Sequence, residues 1–169
     1  MKNYIGTKRI KARPVTSTEY EAYSGTTLPP GSSTEGYLVE YDDRKHPNHE
    51  KHEGYISWSP ADVFERSYRL TEGMTFGEAL EALKQGGRVA RDGWNGKDMF
   101  LWLKPAAVIK AEWCRDPFLI DLANANGGEI LALGTICMFT HDSTGRKAIL
   151  TGWLASQSDL LGEDWRLLD

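Results

Sequence analysis

Residues 74–104, MTFGEALEALKQGGRVARDGWNGKDMFLWLK, change their hydrophobic period once, and that change limits what the chain can become. Thr75 followed three residues later by Glu78 forms a capping box. Phe76, Ala79, Leu80 and Leu83 then recur at helical spacing, and Gly86-Gly87 stops the element. RVA and MFLWL read as two strands around the turn RDGWNGK. Downstream, DPFLIDLANANGG is helix-like. TICMFTHDSTGRKAILTGW is a second strand–turn–strand with DSTG at its tip. SQSDLLGEDWRLLD reads as a short turn of helix followed by an edge strand. A helix followed by strands joined through hairpins predicts an α+β fold, the helix packed on a mostly antiparallel sheet.

A smaller unit precedes this one. EGYLVEY (35–41) and EGYISWS (53–59) are rich in aromatic and β-branched residues and flank the polar tract DDRKHPNHEKH, as the strands of a long-looped hairpin would. Ser59 is expected to cap a helix over PADVFERSY, with Pro60 at its first position and Asp62 three residues beyond the cap. SGTTLPPGSSTEG is a loop by composition. The reading therefore gives two domains, residues 1–70 as a small α+β hairpin-plus-helix unit and residues 74–169 as the larger α+β unit.

Composition excludes several function classes. With 40% hydrophobic and 26% charged residues the chain is globular. No apolar run approaches the roughly 18 residues that a membrane span requires. The start MKNYIGTKRIKARP lacks a secretory apolar stretch, so the expectation is a cytosolic protein. A net charge of −4 argues against a DNA or RNA coat. It leaves room for a small phosphorylated ligand, which needs only a few local cations or backbone N–H groups. Cys114 and Cys137 are the only two thiols and have no metal-type spacing.

Catalytic patterns are sparse. GxSxG, HExxH, P-loop and dinucleotide fingerprints are all missing. His46, His49 and His52 form an H-x2-H-x2-H series within a polar loop, where solvated histidines are the expectation and no metal is assigned. His141 reads as a turn residue. The adjacent pairs Asp42-Asp43 and Glu163-Asp164 read as solvated surface, because neighbouring acids point in different directions. No cofactor is implied.

Tryptophan is the unusual residue, with six in 169. Trp94 lies in a turn between Gly93 and Gly96, with Arg91 and Asp92 before it and Asn95 and Lys97 after. Trp153 follows a glycine and precedes Ala155, Ser156, Gln157, Ser158 and Asp159. An aromatic plane among amides, hydroxyls and forked cations is the composition of a nucleobase site, where the ring stacks and polar groups read the edge. Arg88, Arg91 and Lys97 are sources of positive charge for a phosphate. Inward packing as sheet-covering core is the competing role for both rings. Trp102 and Trp165 alternate with apolar strand residues and are expected in the core.

FGEAL at the helix start, VAR-x-GWNGK in the turn and the closing WLASQ-x-D-x-L-x-EDW together resemble the second type of phage Thoeris anti-defence protein, over residues 74–169. The resemblance implies a sponge, not an enzyme. Such a protein binds cyclic ADP-ribose-type immune signals, in some members also cyclic dinucleotides at a second site, and holds them intact inside the infected bacterium. It also implies a homotetramer with pockets between subunits. Trp94 and Trp153 are then the stacking residues, with Asn95, Ser156, Gln157, Asp159, Arg91 and Lys97 as further ligand contacts. The N-terminal unit, with YIGTK and GYLVEY…GYISWSP, resembles a small phage and prophage module that carries no function over. Two other readings stay open beside the sponge. One is a protein-directed inhibitor of a defence complex of the CRISPR type. The other is a hydrolase of the same signal, using Glu163, Asp164, His141 and Asp159.

Overall fold

The computed structural model describes residues 1–2, 6, 8–42, 46–96 and 98–168. Contacts divide it into two compact units, Met1–Arg69 and Leu70–Asp169.

The first unit is a three-stranded antiparallel sheet with two helices. Strands β1 (Ile10–Thr16), β2 (Glu35–Tyr41) and β3 (Ile56–Pro60) lie in that order, so β2 is central. Helix α1 (Ser17–Ser24) follows β1 directly, with Thr16 and Glu19 forming a reciprocal capping box. Val15, Tyr20, Leu38 and Ile56 form its core, with Tyr23, Leu28 and Trp58 packed against them. The β2–β3 hairpin is the one expected from the sequence. The helix after it, α2 (Ala61–Ser67), begins one residue later than the capping pattern suggested. Ser59 remains in β3, and Pro60 is the cap residue, without a side-chain cap bond. The cause is geometric: the Ser59 backbone is held in register opposite Tyr37. β1 and α1 were not foreseen. Pro14 and two basic residues, Lys11 and Arg13, disguise β1, yet an edge strand tolerates both.

The second unit is an α+β domain. A five-stranded antiparallel sheet has the order β10-β4-β5-β8-β9, formed by Trp165–Leu168, Arg88–Arg91, Phe100–Lys104, Thr135–His141 and Lys147–Thr151. Helix α3 (Phe76–Lys84) starts on the predicted box, with Thr75 Oγ1 accepting from the Glu78 N–H and Glu78 accepting from the Thr75 N–H. Its Ala79 and Leu83 are buried together with Val89, Leu101, Met138, Trp165 and Met74. That set takes one residue from each of β4, β5, β8 and β10, on the sheet face that meets α3.

Trp165 is fully buried in edge strand β10, as expected. Trp102 is not in this core. It is half-buried beside Phe100, which stacks on Phe139 across β8, on the sheet face opposite α3. Strand period explains this, since Trp102 and Leu101 must point to opposite faces. A further hairpin arm was not anticipated: β6 (Ala107–Lys110) pairs with β7 (Glu129–Ala132), joined through a short 3-10 turn and α4 (Pro117–Ala125). No helix among the described residues is long and apolar enough to cross a membrane.

Leu83 is fully enclosed, so Leu83→Ala removes packing that neighbours cannot refill. A loss of about 2–5 kcal/mol is expected in urea unfolding of the second unit, against about 1 kcal/mol for Thr75→Ala at the cap.

Candidate functional site

Trp94 and Trp153 come together although 59 positions separate them in the chain. Their ring centroids lie 6.1 Å apart in an edge-to-face arrangement. Each also meets Trp165 edge-on, at 5.4 and 6.2 Å, and Phe76 at the start of α3 lies 6.4 Å from Trp153. Both rings are half-buried against the core. Their turn positions therefore have a packing explanation, the competing role weighed for both rings from the sequence. The rings serve as a lid on Trp165 and retain partly exposed surface.

Asp159 holds this arrangement. Ser156 caps the short helix α5 (Gln157–Leu160), and Asp159 is the third residue of a reciprocal capping box. The box uses only one carboxylate oxygen: Oδ2 accepts from the Ser156 hydroxyl at 2.6 Å and from its N–H at 2.9 Å. The other oxygen, Oδ1, accepts from the Trp94 indole N–H at 3.0 Å and the Arg91 guanidinium at 2.9 Å. The Asp159 carbonyl accepts from the Trp165 indole at 3.0 Å. Asp159 is the one buried charged residue among those described. Burial pushes its carboxyl up, but the bonds from Ser156, Trp94 and Arg91 outweigh this and bring it down to about 2.

Arg91 completes the clamp. Its Nε donates to Asp164 Oδ1 at 2.7 Å, and Asp164 Oδ2 accepts from the Gly93 N–H at 2.7 Å. Asp164 was read as solvated surface; instead it ties the GWNG turn to the closing segment. Sequence offers no signal for this, because the partners are 71 and 73 residues away. The bond from Arg91 holds the Asp164 carboxyl below its usual range, with burial opposing and the Gly93 N–H assisting. Arg91 is held protonated mainly by Asp164 and then by Asp159. A Cβ at Gly93 would stand 2.7 Å from Asp164 Oδ2, so a larger residue there displaces that carboxylate. Gly152 takes a left-handed φ of 80°, which turns the chain out of β9 and lets the Trp153 N–H reach the Ile136 carbonyl.

The predicted residues thus divide into two groups. Arg91 and Asp159 are largely buried and bonded to each other, and Asp159 also accepts from the Trp94 indole. Asn95 and Gln157 are exposed, and their side chains make no hydrogen bond among the described residues. Ser156 is exposed, its hydroxyl bonded to Asp159 and 2.9 Å from that of Ser158. Lys97 lies outside the described residues. His141 contacts Phe139 edge-on at the end of β8. No group of three or more metal-type ligands occurs among the described residues.

These features define an α+β domain whose polar chemistry is concentrated in an Asp–Arg–Asp clamp beneath partly exposed tryptophans. The family model described as Thoeris anti-defense 2-like domain matches residues 74–168, and the chain belongs to that family. Thoeris anti-defense 2 of Bacillus phage SP01 is 36% identical over 102 residues, covering 56% of this chain and 94% of that protein.

Asp159→Asn is expected to cost about 2–4 kcal/mol, because Arg91 loses a buried charge partner and Ser156 a cap. The pH dependence has a definite sign. A carboxyl depressed in the folded state contributes stability above its unfolded value near 3.8, and that contribution is lost as pH falls toward 2. The melting temperature of the second unit should therefore fall between about pH 4 and 2, and less steeply in Asp159→Asn, as read by near-UV circular dichroism.

Proposed function

We propose that this protein is a non-catalytic sponge. It binds a cyclic ADP-ribose-type immune signal in the cytoplasm of the infected host and holds it intact, so that the defence effector is not switched on. The observation that carries the reading is the pair Trp94–Trp153, fixed edge-to-face and partly exposed, with Asn95 next to Trp94 in the turn and Gln157 at the start of α5, both exposed and with amides that make no hydrogen bond among the described residues. Each ring offers a face for a nucleobase, worth about 1–3 kcal/mol per stacked base. Asn95, Gln157 and Ser156 offer edge and phosphate contacts, with Lys97 as the cation of the turn. Arg91 and Asp159 act beneath them, holding Trp94. Membership of a Thoeris anti-defense family supports the biological setting, and sequestration requires no nucleophile or proton transfer.

We further propose a homotetramer with the ligand pocket between subunits and a second pocket that takes cyclic dinucleotides. The β6–β7 arm and α4 support self-association: Trp113, Phe118, Leu122, Leu131 and Leu133 are all more than half exposed. An apolar surface of this kind marks a macromolecular contact. The N-terminal unit is accessory to binding.

Calorimetric titration with cyclic ADP-ribose isomers tests the reading. The intact protein should bind one isomer in the nanomolar range, about −12 kcal/mol. Trp94→Ala should weaken binding at least tenfold, roughly 1.4 kcal/mol or more. Ligand released by heat should be chemically unchanged. A cleaved product would replace the sponge with a hydrolase, and no binding by any isomer would remove this ligand class.

A further inference from the structure

The loop between β2 and β3 contains a second organised polar cluster, independent of the tryptophan site. Asn48 ties the loop down by a two-way bond to the Ile56 backbone, its Nδ2 donating at 2.9 Å and its Oδ1 accepting at 2.7 Å. His49 stacks on Tyr23 of α1, with centroids 4.5 Å apart and planes 20° apart. His52 lies between two partners. Its Nδ1 is 2.8 Å from Glu40 Oε2 on β2, and its Nε2 is 3.0 Å from the Tyr23 hydroxyl. Of the three loop histidines read from sequence as solvated, His49 and His52 are therefore bound, while His46 is exposed.

Proton positions in this relay follow from its ends. Glu40 Oε1 already accepts the N–H groups of Glu53 and Gly54. With His52 as the leading cause, burial opposing and those N–H groups assisting, its carboxyl is held below the usual range. Glu40 is thus a carboxylate, and Nδ1 of His52 carries a proton toward it. In neutral His52 the Nε2 lone pair is left to accept the Tyr23 O–H, and the phenol oxygen shows only lone pairs outward. If His52 gains a second proton, Nε2–H donates to the Tyr23 oxygen, and the phenol O–H is released to donate elsewhere.

The same tyrosine has two cations near it. The guanidinium of Arg13 on β1 lies 5.4 Å from its ring centroid and the Lys51 ammonium 6.0 Å. Both residues are exposed, and neither has an ion pair among the described residues. The charged and titratable groups around the relay include Arg13, Tyr23, Glu40, His49, Lys51 and His52, with Glu19 acting on Arg13 through its charge and Lys11, Asp42 and Glu53 gathered around Glu40.

We propose that the N-terminal unit carries a proton-linked anion site, in which Tyr23, backed by His52 and Glu40 and flanked by Arg13 and Lys51, binds a tetrahedral oxyanion of the phosphate type. A forked guanidinium, an ammonium and a phenol O–H suit such an oxyanion. The anion favours the outward-donating phenol, so binding draws a proton onto His52. Proton uptake separates this site from a surface patch of cations, which takes up none.

Sulfate is the appropriate probe, because it does not itself titrate near neutrality. Full-length protein is titrated with sodium sulfate against sodium chloride of equal ionic strength, following backbone amide resonances of residues 48–56. Calorimetry in buffers of different ionisation enthalpy counts the protons. The expected result is saturable, sulfate-specific shifts with proton uptake, weakened about tenfold or more in Tyr23→Phe. The exposed-site variant Arg13→Gln, which leaves the relay and the fold intact, should also weaken binding. Shifts equal in sulfate and chloride, shifts without proton uptake, or affinity unchanged in Arg13→Gln would each overturn the site.

Discussion

The carboxylate of Asp159 is the point on which the second unit's chemistry depends. One oxygen closes a helix cap and the other fixes an indole and a guanidinium. Because Arg91 also holds Asp164, and Asp164 holds the Gly93 N–H, the β4–β5 turn and the closing segment become one piece. A buried carboxylate without these donors would cost several kcal/mol, so the donors are conditions for its burial. The cluster forms with its members together or not at all.

That dependence shapes what the site offers. Trp94 cannot rotate away without leaving Asp159 with a missing donor, and Trp153 is held against Trp94, Trp165 and Phe76. Aromatic faces fixed before binding cost little ordering entropy when a ligand arrives. The clamp itself carries two negative charges and one positive, which leaves Arg91 little spare charge for a phosphate. Under the proposed function, anionic groups of the ligand would be met by turn residues and by backbone N–H groups.

The sequence made the local part of this structure legible. Thr75 and Glu78 announce α3 because a capping box is three residues long, and the β8–β9 hairpin is announced by its own turn. The α+β class followed from those elements. Alternation placed Trp165 in the core correctly, but it could not say which face of the sheet would be covered, and Trp102 lies on the other one. β1 was hidden because an edge strand carries exposed Lys11, Arg13 and Pro14. The arm of β6 and β7 was hidden because its two four-residue strands are separated by a helix. At the site, residue types pointed to Trp94, Trp153 and Asp159. Their roles relative to one another depend on contacts spanning 59 residues or more, which no local pattern encodes. Asp164, His49 and His52 are the same kind of omission, polar residues whose partners are chosen by tertiary structure.

Hydrogen exchange at the Trp94 indole N–H, resolved by its own NMR resonance, tests the central claim most directly. If Asp159 locks Trp94 into the folded unit, that proton should exchange as slowly as the Trp165 indole N–H, through opening of the whole unit. Exchange at the rate of a free indole, while Trp165 stays protected, would show that the clamp does not hold Trp94 and would contradict the account.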